Sequence, residues 1–561
     1  MTQAHAVLHG IGVSAGMAIG NVVQVPPAAP FSPDEPATTD SASAIEKVHK
    51  ALEQVASGLE ARMATVPEHA RAVLEATAMM ARDPGLTGAI DTRLTSGTGV
   101  TRAVHDAVEE FATMFANLGG YMAERVTDLH DVRDRTISRL LGREEPGVPK
   151  LTSPAVIVAH DLAPAETAAM DKKLVLGIIT AAGGPTSHTA ILAAQLGIPA
   201  VVKTSGALEL PNGTVVAVNG STGEVIISPS QVEQDELLER AERRAAALKD
   251  SHGSGATKDG HAVALLANIG TLDDAKAAAA QDVEGSGLFR TEFLFLGQSS
   301  APTVAEQTAI YTEVLRSFGD RRVVIRTLDA GADKPLSFAN LGEEENPALG
   351  RRGIRLGFAI PQLLEDQLAA LGAAHRETDA DLRVMAPMIA TCEEAEQFAE
   401  SARAAGLPSV GIMIEVPAAA LRSQDLLAIV DFASIGTNDL SQYTMAADRM
   451  EGELANLLDP WQPAVLQLIQ HSCAGGQTND KKVGVCGEAG GDPLLALVLV
   501  GLGVSSLSMA PGKVPAVRAS LGMHTLELCQ QMASAAVGAR TATDARQAVL
   551  DLADQELNVL L

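Results

Sequence analysis

The stretch VGIMIEVPAAALRSQDLLAIVDFASIGTND, residues 410–439, carries an apolar run of strand length at each end and a helix-length segment between them. The first run, VGIMIEV (410–416), carries Glu415 near its end, and the second, FASIGTND (432–439), ends in Asn438–Asp439. Continuous apolar runs of this kind suit strands buried on both faces, and polar residues at their carboxyl ends suit a site built on those ends.

The same alternation holds on either side. AVALLANI (262–269), GSGLFR (285–290), RVVIRTLD (322–329), LRVMAPMI (382–389), KVGVCGE (482–488) and SSLSMA (505–510) are β runs separated by helix-length segments. Eight such runs from about residue 259 predict a (β/α)8 barrel, a fold of typically ~250 residues whose catalytic groups stand at the carboxyl ends of the strands. The second run ends at Arg290, the third carries Arg326, and the seventh holds Cys486 and Glu488. Arg352 in NPALGRRGIR (346–355) and Arg449 in TMAADR (444–449) are placed to join them from loops.

Arginines hold phosphate and carboxylate oxygens through forked, charge-assisted hydrogen bonds, so several of them at one mouth suit a small polyanionic substrate. Glu415 and Asp439 add hard oxygen donors of the kind Mg²⁺ accepts when a substrate completes its octahedron. Cys486 alone reads as a small buried hydrophobe; only its place at the mouth gives it a further role.

The amino-terminal half has a different texture. Residues 1–25 end in the β-like GNVVQV (20–25), and a proline-rich stretch follows. From about 41 to 142 the apolar period is helical, as in Ile45, Val48, Leu52, Val55 and Leu59, and Pro67, Pro84 and Gly119–Gly120 divide it into about four bundle helices. PAVIVA (154–159), LVLGIIT (174–180), PAVVK (199–203) and TVVAVNG (214–220) then form a small α/β domain. The polar helical stretch 234–250 and the glycine- and serine-containing SHGSGATKDG (251–260) read as a linker helix and a loose hinge.

Within the α/β domain, GGPTSHTAI (183–191) turns on Gly183–Gly184 into a helix that Gly197 and Pro199 stop. His188 falls in its first turn, where free backbone N–H groups and the helix dipole favour a phosphoryl group on the ring. His5, His69, His105, His130 and His375 have no such setting.

Composition narrows the function classes. The chain has 561 residues, 46% hydrophobic and 20% charged, which is a globular composition with room for about three domains. A formal net charge of −27 disfavours a general nucleic-acid binder and suits a basic protein partner. Four widely spaced cysteines and no secretory signal predict a reduced, cytoplasmic protein. The longest apolar candidate, PLLALVLVGLGV (493–504), is too short to span a bilayer, so no membrane insertion is expected.

GGPTSHTAI, GLFRTEFLF, IRTLDAGADKP, NPALGRRGIR, GIMIEVP, IGTNDLSQYTMAADR and VCGEAGGDP resemble, in that order, the signatures of enzyme I of the bacterial phosphoenolpyruvate-dependent sugar phosphotransferase system. The resemblance spans essentially the whole chain. It implies a phosphohistidine α/β domain over 1–25 and 146–228 and a helical subdomain over 26–145 that docks the phosphocarrier protein HPr. A linker helix and hinge would then cover 229–258, and a phosphoenolpyruvate-binding, dimerising barrel 259–561.

It also implies that His188 takes the phosphoryl group, that Mg²⁺ sits on Glu415 and Asp439, and that Arg290, Arg326, Arg352, Asn438 and Arg449 bind substrate. Cys486 would protonate the enolate to give pyruvate, and Thr167 would orient the histidine ring. Glu68, Glu75 and Asp83 are candidate acidic contacts for the carrier.

The family usually has tryptophan where Arg351 stands and arginine where Pro185 stands. Phosphoenolpyruvate synthase and pyruvate, phosphate dikinase share part of the motif set, but the short stretch ahead of the histidine has no GxxxxGK[ST] loop and leaves little room for a nucleotide-grasping domain. A non-catalytic phosphoenolpyruvate-sensing paralogue is the third reading, against which the intact His188, Cys486 and carboxylates count.

Overall fold

The computed structural model describes residues 6–561 except 15, 27–28, 30, 32–34, 64–67, 119–124, 144, 150, 163–169, 172, 185–186, 297, 331–335, 337, 340–341, 343 and 450. The side chains of 68–70, 72–73, 116–118, 188, 191, 195 and 452 also lie outside the description. The chain divides into two compact units, Met1–Ala241 and Glu242–Leu561.

The first unit is built on an eight-stranded sheet in the order β1-β8-β7-β3-β4-β5-β6-β2. Its strands are β1 (Val7–His9), β2 (Ile11–Ser14), β3 (Met17–Gln24), β4 (Ala155–Ala159), β5 (Val175–Thr180), β6 (Ala200–Val202), β7 (Val215–Asn219) and β8 (Glu224–Ile227). Strands β3 to β6 run parallel, and β7, β8, β1 and β2 pair antiparallel around them. The short β1, β2 and β8 go beyond the sequence reading, which found one β-like segment before residue 26 and none between 220 and the first barrel run at 262. Segments of three or four residues are too short to give a periodic signal, and their register is set by the strands they join.

A helical bundle interrupts the sheet between β3 and β4. Among the described residues it has five helices, Ser41–Met63, Glu68–Ala81, Pro84–Thr95, Val100–Leu118 and Val126–Leu140, rather than about four. The break at Pro84 is the expected one, capped by Asp83, whose side chain accepts from Leu86 N at 2.9 Å; the extra division falls at 96–99, where Ser96 caps the end of Pro84–Thr95 and Gly97 turns the chain with a φ of 86°. Val48, Leu52, Val55 and Leu59 face Leu74, Ile90, Val104, Val108 and Val132 in one buried core.

In the second unit eight parallel strands close into a barrel: β9 (Ala264–Ile269), β10 (Gly285–Arg290), β11 (Arg322–Arg326), β12 (Asp381–Ala386), β13 (Val410–Ile414), β14 (Phe432–Ile435), β15 (Lys482–Val485) and β16 (Ser506–Met509). Alternation along each strand decides the packing. In β11, Val323 and Ile325 face the helical layer, while Val324 faces the barrel interior with Leu288, Met385, Met413, Phe432 and Cys486. The apolar stretch at 493–504 is a core helix, Pro493–Gly501, with Leu494 through Val500 buried. No helix among the described residues is long and apolar enough to cross a membrane.

The segment 251–260 is not loose. Ser251 Oγ donates to Pro515 O at 2.8 Å, Gly253 N to Asp282 at 2.7 Å, Gly255 N to Glu284 at 3.1 Å, and Lys258 N to His524 O at 2.9 Å. These bonds fasten it to the barrel. The helix before it, Gln231–Lys249, has no buried residue, and the division between the two units falls inside it.

Candidate active site

The polar ends predicted for the barrel strands gather at one mouth. Arg290 and Arg326 are the last residues of β10 and β11, and Glu415 and Cys486 directly follow β13 and β15. Asn438 and Asp439 do not end a strand: β14 stops at Ile435, Gly436 turns the chain, and both residues lie in the first turn of the helix Thr437–Met445. Glu488 is exposed in the turn after β15 and stands apart from the buried network.

Two arginines form the centre of this network. Arg326 Nη2 donates to Glu292 Oε1 at 2.6 Å, and its Nη1 lies 2.9 Å from Asp329 Oδ2. Arg352 Nη2 donates to Asp329 Oδ2 at 3.0 Å, and its Nη1 donates to Asp439 Oδ1 at 2.9 Å and to the Tyr443 hydroxyl at 3.3 Å. Burial alone would lower the pKa of either guanidinium. The surrounding carboxylates outweigh it, Glu292 and Asp329 for Arg326 and Asp329 and Asp439 for Arg352, and both stay firmly charged. Arg449, at 3.8 Å from Asp439 Oδ2, sits at the edge of the network. Arg290 is half-buried and has no carboxylate partner among the described residues.

Glu415 is fully buried. Its Oε1 accepts from Met388 N at 2.7 Å, and Met388 adopts a left-handed φ of 61°. A buried non-glycine residue in that region costs ~1–3 kcal/mol, and here the strain aims an amide at a carboxylate. Glu415 Oε2 has no hydrogen-bond partner. Burial first, then repulsion from Asp439 and Asp329, raises the Glu415 carboxyl to about 8, although Arg326 and Arg352 oppose this.

An oxygen without a partner, in a carboxyl kept from ionising by burial and like charge, is what a divalent cation would relieve. Glu415 and Asp439 therefore fit the metal expected on them. Among the described residues no group of three or more His, Cys, Asp or Glu side chains gathers into a cage.

Cys486 is buried in the interior apolar cluster, and burial pushes its thiol up to about 11 against a hydrogen bond from Ser434. Its Sγ donates weakly to Ile435 O at 3.7 Å. Such a thiol keeps its proton at neutral pH, which suits an acid and not a nucleophile.

In the other unit, His188 opens the helix His188–Leu196. Ser187 caps it by accepting from Ala190 N at 3.3 Å, and Gly197 ends it with φ 66°. Thr189 Oγ1 donates to Asp161 Oδ1 at 3.2 Å and to Leu162 O at 3.3 Å. The backbone thus presents residue 188 where the sequence put it, in the first helical turn, beside N–H groups that lack helical acceptors. Thr167 and Pro185 lie outside the described residues.

Sequence reasoning missed Glu292, Asp329, Tyr443 and Met388. Glu292, Asp329 and Tyr443 lie inside motifs already noted, GLFRTEFLF, IRTLDAGADKP and IGTNDLSQYTMAADR, so a search for carboxylates close in sequence to each arginine would have found the first two. Arg351 pairs with Glu344, its Nε donating at 3.0 Å, and is half exposed.

Three family models match the chain: "PEP-utilising enzyme, N-terminal" over 9–125, "PEP-utilising enzyme, mobile domain" over 151–223 and "PEP-utilising enzyme, PEP-binding domain" over 244–525. A phosphoenolpyruvate-protein phosphotransferase of Streptomyces coelicolor is 50% identical over 96% of this chain and 98% of its own length. One from Haloferax volcanii is 40% identical, covering 92% and 94%. A multiphosphoryl transfer protein of Xanthomonas campestris is 39% identical over 97% of this chain and 67% of its own. With the barrel, its arginine–carboxylate mouth and the histidine-bearing helix in place, these likenesses assign the chain to the phosphoenolpyruvate-protein phosphotransferase (enzyme I) family of phosphoenolpyruvate-utilising enzymes.

Proposed function

We propose that the protein moves the phosphoryl group of phosphoenolpyruvate onto His188 and then onto a histidine of the phosphocarrier HPr, releasing pyruvate in the service of sugar uptake. The observation that carries this reading is the buried mouth in which Arg326 and Arg352 are held by Glu292, Asp329 and Asp439 while Glu415 Oε2 has no hydrogen-bond partner. Phosphoryl transfer needs in-line placement and neutralised charge more than covalent help, and fixed guanidinium groups supply the second without reorganising.

In this reading Arg290, Arg326, Arg352, Asn438 and Arg449 bind the phosphate and carboxylate of the substrate. Glu415 and Asp439 would hold Mg²⁺, which when bound neutralises charge between substrate oxygens and the two carboxylates. The neutral His188 ring attacks phosphorus, the bridging P–O bond breaks, and its electrons remain on the enolate oxygen. The enolate then gains a proton at carbon from the Cys486 thiol, giving pyruvate. Thr167, outside the described residues, would orient the imidazole.

The histidine must meet both the barrel mouth and HPr. We place the movement in the exposed helix Gln231–Lys249, within the 229–258 linker, because 251–260 is fastened to the barrel. The helical subdomain over 26–145 would dock HPr; Glu75 is exposed there, Asp83 is committed to a helix cap, and the Glu68 side chain lies outside the description. The multiphosphoryl relative supports a carrier as the next acceptor, since its name states transfer of several phosphoryl groups. A cytoplasmic homodimer joined through residues 259–561 completes the reading.

The test is to mix the protein with labelled phosphoenolpyruvate and Mg²⁺, then add HPr. Label that passes from His188 to HPr supports the proposal; label that stays on the protein, or pyruvate formed only with nucleotide, refutes it. Sedimentation as a monomer at micromolar concentration with substrate present would remove the dimer.

A further inference from the structure

The barrel interior is polar at both ends and apolar between them. Leu288, Val324, Met385, Met413, Phe432 and Cys486 form the apolar middle, above which stand Arg326 and Glu415. Alternation then fixes what faces inward below it: Arg322 two residues before Val324, Arg383 two before Met385, and Lys482 and Gly484 before Cys486. On the neighbouring β16, Ser506 lies opposite Gly484.

These residues line a cavity of about 30 Å³ at the amino-terminal end of the barrel, together with Ser434 and Ser508. Bulky branched side chains usually fill such layers. Here Gly484 leaves the space open, and a Cβ on it would come within 2.3 Å of Ser506 Oγ.

The charges around the cavity do not balance. Arg383 takes Asp381, with Nη2 at 2.8 Å and Nε at 3.2 Å from its carboxylate. Arg322 Nε is 3.8 Å from the same carboxylate and is buried without a hydrogen-bond partner. Burial and the nearby Arg383 lower the Arg322 pKa, while Asp381 and Glu284 oppose the shift. Glu284 Oε2 is already engaged, accepting from Leu265 N at 2.8 Å and Gly255 N at 3.1 Å.

Lys482 is exposed at the rim and has no carboxylate partner among the described residues. Three cations therefore face two carboxylates in a protein whose net charge is −27. Guanidinium, ammonium and hydroxyl donors around a polar cavity match an oxyanion. The larger cavity, of about 360 Å³ in the first unit, has no comparable excess: its Arg135 already meets Glu145 at 3.1 Å and Asp131 at 2.8 Å.

We propose that the amino-terminal end of the barrel binds a small oxyanion of the phosphate class through Arg322, Arg383, Lys482 and Ser506, separately from the mouth that holds Arg326 and Glu415. This site does not depend on the proposed reaction. An anion there would join β11, β12, β15 and β16 at their starts and stabilise the barrel.

Equilibrium dialysis of the full chain against radiolabelled inorganic phosphate, with a chelator present and ionic strength held by chloride, tests it. Lys482→Gln changes an exposed side chain and should weaken phosphate binding at least about tenfold, the effect of losing one charged hydrogen bond. Arg290→Gln, which alters the opposite mouth, should leave this binding class intact. Thermal melts should show a phosphate-dependent rise in the wild type that Lys482→Gln lacks. Equal binding by Lys482→Gln, loss of all bound phosphate in Arg290→Gln, or no binding by the wild type would each overturn the proposal.

Discussion

At the barrel mouth, Arg326 and Arg352 are locked by Glu292, Asp329 and Asp439 in a buried network, whereas the helix His188–Leu196 is held by hydroxyls and small apolar contacts: Ser187 caps Ala190, Thr189 reaches Asp161 and the Leu162 carbonyl, and Ala193 is buried in an apolar core. Breaking a buried ion pair costs ~3–5 kcal/mol, so the mouth is a fixed cradle. The helix start carries its histidine on a small α/β body with no such network described around it. The contrast separates two needs of phosphoryl transfer: charge stabilisation that does not reorganise, and a nucleophile that can be delivered and withdrawn.

Removing the delivered part should be absolute. His188→Gln should form no phosphoprotein while the barrel still binds phosphoenolpyruvate by calorimetry; residual labelling elsewhere would end the division of roles. Disturbing the cradle should be severe but graded. Arg326→Lys or Arg352→Lys keeps the charge and loses the fork, and kcat/KM should fall by about 10²–10³ in a pyruvate-release assay. A loss under tenfold would mean that the cradle is not rigid.

Cys486→Ala should slow turnover by about 10²-fold with substrate affinity unchanged, as expected for a lost general acid. In the wild type, the thiol should cause no alkaline decline until the pH nears about 11.

The cradle should also show a stability signature. The Glu415 carboxyl is raised from 4.5 to about 8 in the fold, so between those values the folded protein holds a proton that the unfolded chain has released. Stability should therefore fall as pH rises through that window, by at most about 1.4 kcal/mol per pH unit, and level off above it. Denaturant melts of the metal-free protein should show this slope, and Glu415→Gln or added Mg²⁺ should flatten it. Arg351→Trp marks the lower limit: its ion pair with Glu344 is half exposed, and restoring the family's usual residue should change kcat/KM by about twofold or less.

The sequence announced the barrel because strands buried on both faces are written as apolar runs, and those runs survive in VGIMIEV and RVVIRTLD without any tertiary information. Single polar residues at their ends were equally visible, which is why Arg290, Arg326, Glu415 and Cys486 could be named. Asn438 and Asp439 read as a strand end because they close the apolar run FASI, although Thr437, Asn438 and Asp439 after Gly436 are residues that favour a helix start, and there the helix Thr437–Met445 begins. Partners such as Asp329, which joins Arg326 to Arg352 across 26 residues of sequence, depend on loop closure that no periodicity encodes. The pinned segment 251–260 looked like a hinge because glycine and serine dominate it, yet its backbone N–H groups find Asp282 and Glu284.

The central claim is tested most directly by mass-spectrometric location of phosphate after rapid mixing of the full chain with phosphoenolpyruvate and Mg²⁺. Phosphate on His188, absent when Mg²⁺ is withheld, is the predicted result; phosphate on another residue, or none with both present, would contradict it.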